Sequence, residues 1–128
     1  MKRQIFILAL FLIAFSLSSI AQTNVNGNTK KDAIKYKVTF VELGSVRCIP
    51  CKQMQPVMKS IEQKYSTQVK VVFYDVWTTE GKPFGAQYNI EAIPTQVFLD
   101  ENGKEFFRHV GFFEESELIK VLQTKGVK

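Results

Sequence analysis

Two cysteines two residues apart, Cys48-Ile49-Pro50-Cys51, sit between an apolar run and a segment of helical spacing. They are the only cysteines in the chain, and they constrain the fold because a strand has to end and a helix begin on either side of them. A bridge across so short a loop removes little entropy from the unfolded chain, so as a staple it would contribute little. A helix N-terminus, in contrast, lowers the pKa of a thiol placed on it, and a second thiol one turn on can resolve a mixed disulfide. Thiol–disulfide exchange is therefore the favoured reading, with a structural bridge and a metal site left open. A zinc site needs four ligands, and His109 is the only further soft ligand. Haem attachment needs a histidine after the second cysteine, where this chain has Lys52.

The first residues read as a targeting segment. Lys2 and Arg3 precede the apolar run Ile5 to Phe15, and Ser19-Ile20-Ala21 offers the small residues a signal peptidase reads. That run is shorter than the roughly 20 residues a membrane-spanning helix needs. Residues 1–21 are expected to be a cleaved signal peptide, 22–36 a flexible lead-in and 37–128 one folded domain. Removing Lys2 and Arg3 takes the formal charge from +5 to +3. The remaining basic residues are scattered singly, which argues against nucleic acid as a partner. Export points to the periplasm.

Within 37–128 the pattern alternates. Asp32 to Tyr36 is expected to form a short helix ahead of the first strand. Val38 to Leu43 reads as a strand apolar on both faces, hence central, with Glu42 the odd carboxylate beside Val38 and Phe40. Pro50 to Tyr65 reads as a helix, its apolar stripe being Met54, Val57, Met58, Ile61 and Tyr65, with Pro56 expected to kink it. Val69 to Val76 is a second strand. Thr78 and Thr79 are expected to cap a short helix over Pro83 to Tyr88, loosened by Gly81 and Gly85. Thr95 to Leu99 and Glu105 to Val110 are strands joined by Asp100-Glu101-Asn102-Gly103, and Glu114 to Gln123 is the last helix. A βαβ unit followed by a hairpin and a helix gives an α/β fold with one mixed sheet and helices on both faces.

Phe40 to Gly111 resembles a thioredoxin. The resemblance rests on Cys-X-Pro-Cys-Lys after an apolar strand, Pro56 five residues beyond the second cysteine, Ile93-Pro94-Thr95 before a strand, the Asn-Gly hairpin, and Val110-Gly111 before the last helix. It implies a thioredoxin fold with a four- to five-stranded sheet and a thiol–disulfide oxidoreductase. Cys48 would be the nucleophile, Cys51 the resolving thiol and Glu42 the buried proton acceptor. Pro94 would follow a cis peptide bond, with Ile49, Pro50, Ile93, Pro94, Gly111 and Phe112 framing an apolar docking surface together with Val46, Ala92 and Val110. Arg47 and Lys52 would tune the site with positive charge. No metal or organic cofactor is implied beyond the redox-active cysteine pair.

The expected activity is reduction of disulfide-containing periplasmic proteins by a monomer fed by a membrane thiol–disulfide electron donor. An oxidase or isomerase using the same residues, and a non-catalytic binding module, are the alternatives. Three departures from the family pattern stand out. Gly44 and Arg47 occupy positions that usually hold tryptophan, Ile49 replaces a usual glycine, and Val71 stands where a lysine usually accompanies the buried acid. His109 is expected to pack, and Trp77 to lie on the surface of a lengthened connection.

Overall fold

The computed structural model describes residues 35–128. The lead-in, the signal segment and most of the Asp32–Tyr36 helix lie outside that range, and Lys35 and Tyr36 belong to no helix. The elements run β1 (Val38–Gly44), α1 (Ile49–Lys64), β2 (Val69–Asp75), α2 (Lys82–Gln87), β3 (Thr95–Asp100), β4 (Glu105–Val110) and α3 (Glu115–Gln123). One sheet of four strands has the order β2-β1-β3-β4. β1 pairs in parallel with β2 and antiparallel with β3, and β3 pairs antiparallel with β4.

The central position of β1 follows from its double-sided apolarity. Val38 and Phe40 face a core that contains Met54 and Ile61 of α1 and Leu118 and Leu122 of α3. Val41 and Leu43 face the other side, against Phe84, Tyr88 and Ile90 around α2. β2 carries the same kind of sequence but lies at the sheet edge, so most of its residues are only half-buried.

α1 starts with Pro50 in its first turn, where a missing N–H costs nothing. It continues without a break through Pro56. The carbonyl that Pro56 cannot satisfy belongs to Lys52, and both residues lie on the exposed side of the helix. Gly81 does not loosen α2 as expected. It precedes the helix at the N-cap, and a Cβ there would collide with the Asp75 carbonyl. Thr78 caps the turn ahead of the helix: its Oγ1 accepts from the Gly81 N–H at 3.0 Å and donates to the Asp75 carbonyl at 2.8 Å. In the hairpin, Asp100 Oδ1 accepts from the N–H groups of Asn102 and Lys104 at 2.9 and 3.0 Å, and Gly103 takes the positive φ of 77°. Glu115 links α3 to α1 through Ser60 and Lys64, at 2.7 and 2.6 Å.

Candidate active site

Cys48 lies at the junction the sequence implies. It is the N-cap of α1, with extended backbone (φ −87°, ψ 128°), and its sulfur accepts from the Cys51 N–H at 3.3 Å. A helix start leaves its first N–H groups without intrahelical partners, and here one of them points at the sulfur. Cys48 and Cys51 form a disulfide with Cα atoms 5.2 Å apart. Cys48 reaches the surface with 8% of its area, whereas Cys51 has none exposed. Of the two, Cys48 is therefore the one nearer the solvent and Cys51 lies behind it.

The loop before Cys48 is pinned by Asp75, at the end of β2. Its two carboxylate oxygens accept from the N–H groups of Val46 (3.2 Å) and Trp77 (3.0 Å). Burial would raise its pKa, but those N–H groups, the Ser45 hydroxyl and the Arg47 charge outweigh burial and hold it below the usual value. The Arg47 guanidinium lies over the Trp77 ring, 5.8 Å from its centroid. Trp77 is indeed at the surface, and its stacked partner is the residue that replaces the family's tryptophan. Lys52 is exposed on the first turn of α1.

Glu42 is fully buried on the α1 side of β1. Neither of its oxygens has a hydrogen-bond partner of good geometry. Desolvation pushes its pKa from 4.5 up to about 8, and the neighbouring Gln96 amide offsets only part of that rise. Val71 is the β2 partner of Phe40, so an apolar residue stands where the resemblance expects a cation. A methyl group built on Gly44 would lie 3.2 Å from Cys51 Sγ and 3.4 Å from Glu42 Oε1. The acid and the buried Cys51 sulfur therefore both border the space beside Gly44, which a methyl would overfill.

The Ile93–Pro94 peptide bond is cis, and Pro94 is buried with Ile93 half-exposed beside it. The Gly111 N–H donates to the Pro94 carbonyl at 2.8 Å. That bond, together with Gly111's φ of 96°, sets the Gly111–Phe112 loop alongside Pro94. Val46, Ile49, Val110 and Phe112 are all exposed apolar residues, and Ile49 is 73% accessible. His109 stacks on Phe113 with ring centroids 4.1 Å apart, a packing arrangement as expected. Among the described residues no group of three or more histidine, cysteine or acidic side chains is placed to hold a metal ion.

Two contributors escaped the sequence reading. Asp75 looks like an ordinary strand end, and only the fold brings it under Val46. Gln96 is a polar residue in the otherwise apolar run of β3. Its significance depends on the register that sets it opposite Glu42.

Comparison with known proteins matches residues 25–126 to the thioredoxin-like domain family. The chain belongs to that family. It is 30% identical over 105 residues to thioredoxin 1 of Synechococcus elongatus, covering 81% of this chain and 95% of the relative. It is 34% identical over 84 residues to putative thioredoxin H10 of Arabidopsis thaliana, covering 66% of this chain and 51% of that longer protein. The solved structure of the germline-specific thioredoxin Deadhead from Drosophila melanogaster superposes with a TM-score of 0.61 at 28% identity, covering 73% of this chain and 86% of that one. With its Cys48–Cys51 disulfide, this thioredoxin-like chain is a thiol–disulfide oxidoreductase. Such chemistry stores its electrons in the two sulfurs and needs no cofactor.

Proposed function

We propose that the protein is a periplasmic protein-disulfide reductase. The observation that carries the reading is the asymmetry of the cysteine pair: Cys48 keeps a small exposed area on a helix N-terminus, and Cys51 is wholly buried near Glu42. In the reduced protein the Cys48 thiolate attacks a substrate disulfide, forming one mixed disulfide and expelling one substrate thiolate. Cys51 then gives its proton to the Glu42 carboxylate and attacks the Cys48 sulfur. The Cys48–Cys51 bond forms, the mixed disulfide breaks, and the second substrate thiolate leaves. An acid whose pKa lies near 8 is suited to this exchange, because it gains and loses a proton near neutral pH. Substrate docks on the apolar rim of Ile49, Ile93 and Phe112, pairing its backbone beside Pro94. A membrane thiol–disulfide donor re-reduces the pair.

Export to the periplasm is supported by the charge, apolar run and small-residue site of residues 1–21. The deciding measurement is the reduction potential of the Cys48–Cys51 pair, by equilibration with glutathione and alkylation of free thiols. A value near the roughly −270 mV of a reducing thioredoxin supports the reading. A value near about −120 mV reverses the direction and makes the protein a disulfide donor. Cys51→Ser should accumulate the mixed disulfide with substrate, and Cys48→Ala should abolish turnover. Full retention of activity by Cys48→Ala would instead mean a binding module.

A further inference from the structure

One row of side chains crosses the sheet on the α1 face: Phe73 on β2, Glu42 on β1, Gln96 on β3 and His109 on β4, each directly opposite the next. Directly opposed antiparallel residues hold their Cβ atoms about 4.5–5.5 Å apart, so the polar members are in contact range. Glu42 and Gln96 are fully buried. The Gln96 and His109 side chains both reach the loop that follows β4. Gln96 Nε2 donates to the Gly111 carbonyl at 3.1 Å, and His109 Nε2 lies 3.1 Å from the Phe112 carbonyl.

The hydrogen-bond inventory of this row is short of donors. The Gly111 carbonyl can only accept, so the Gln96 amide must turn its nitrogen toward it. That leaves Gln96 Oε1 buried without a partner, and both Glu42 oxygens are in the same condition. A single proton on Glu42 reduces the shortage from three unpartnered oxygens to one, because a neutral carboxyl can donate its O–H to Gln96 Oε1. An ionised carboxylate is acceptor-only and needs an N–H instead. Gln96 Nε2 carries two N–H groups, so the one not on Gly111 can turn toward the carboxylate, which makes the amide shared between Glu42 and Gly111. Among the described residues no cation competes for the role. β2 sets Phe73 and Val71 on this face, α1 sets Cys51 and Met54, and α3 sets Leu118 and Leu122. Among the described residues the other ionisable side chain there is His109, beyond Gln96, because Cys51 is held in the disulfide.

We propose that Gln96 is a positioning residue that couples the protonation of Glu42 to the Gly111–Phe112 loop, its amide nitrogen bound to Gly111 alone while Glu42 carries its proton and shared with the carboxylate when Glu42 ionises. The functional consequence rests on the reading above, in which Glu42 receives the Cys51 proton. Arrival of that proton as the mixed disulfide resolves leaves the Gln96 nitrogen to Gly111 alone and resets the docking loop as product leaves.

The test uses the full-length oxidised chain, labelled with ¹⁵N and ¹³C and titrated from pH 6 to 10 by NMR. The Gln96 side-chain NH₂, the Gly111 and Phe112 amides and the Glu42 carboxyl carbon should follow one transition centred near 8. Glu42→Gln should abolish the loop transition. Gln96→Leu and the equally long Gln96→Met should abolish it too, while the Glu42 carboxyl still titrates, at higher pH because the amide no longer lowers its pKa. The coupling should persist in a His109→Gln background. Loop amides that ignore pH while Glu42 titrates would overturn the proposal, as would a loop transition unchanged in both Gln96 variants. The proton-acceptor reading is judged separately, by the rate of mixed-disulfide resolution in Glu42→Gln. An unchanged rate removes that role, and an NMR coupling seen alongside it still upholds the structural link.

Discussion

Glu42 should make the protein less stable as pH rises through neutrality. The folded protein holds a proton on Glu42 up to about pH 8, whereas the unfolded chain releases it near 4.5. Unfolding therefore sheds a proton between these values, and each pH step upward favours the unfolded state. Below about 4.5 both states are protonated and Glu42 costs nothing on this account. Above 8 both are ionised and the full cost applies. At 1.36 kcal/mol per tenfold change in proton affinity, the rise from 4.5 to about 8 amounts to about 5 kcal/mol, of which about 3 is already present at pH 7. Glu42→Gln removes the titration and keeps an amide that can still donate toward Gln96 Oε1. Urea denaturation of the oxidised wild type and this variant at pH 5, 6, 7, 8 and 9 checks the reasoning, since titrations common to both proteins cancel in the difference. The variant's advantage should widen by about 4 kcal/mol from pH 5 to 9 and then level off. Parallel curves across that range would refute the desolvation argument. A wild type that gains relative stability with pH would mean that Glu42 meets a cation as it ionises.

Two further outcomes follow from the same geometry. Gly44→Ala places a methyl 3.2 Å from both Cys51 Cβ and Sγ, closer than ordinary contact, and should cost about 1–3 kcal/mol in urea denaturation. It should also slow mixed-disulfide resolution by intruding between Glu42 and Cys51, so an unchanged resolution rate would count against that gap as the proton route. Leu118→Ala, at a fully buried anchor of α3, should lose about 2–5 kcal/mol, and a smaller loss would mean that α3 contributes little to the core.

The fold was largely legible because its elements are punctuated by strong local signals. Val38 to Leu43 is apolar on both faces and did become the central strand. The hairpin at Asn102-Gly103 and the helix from the cysteine pair appear within a residue or two of where the sequence puts them. What the sequence left open depends on contacts between distant segments. β2 has the same apolar run as β1 yet lies at the edge, because nothing in a strand's own sequence states whether a neighbour will cover its second side. Gly81 reads as a helix weakener in sequence, yet the Asp75 carbonyl lies where its Cβ would be and requires a glycine.

The same limit applies at the site, where it explains how this chain departs from the family pattern. Cys48 and Cys51 stand out by their spacing, Glu42 as an acid in an apolar strand, and Pro94 through the family resemblance. Gln96 could not, since its meaning comes from lying opposite Glu42 in one strand pair and His109 in the next. The lysine expected beside the acid is replaced by Val71, and the tryptophan expected at position 44 by glycine. The first change removes the charge that would favour an ionised Glu42, and the second opens the space between Glu42 and Cys51. With no cation beside it among the described residues, the balance of Glu42 between neutral and ionised forms is set by desolvation against one amide. That amide also holds the carbonyl of Gly111. A lysine in place of Val71 would lower the pKa of Glu42 through its own charge and free Gln96 from that role. The absence of the cation is therefore what gives a buried glutamine, ordinarily a liability in a central strand, a reason to be there.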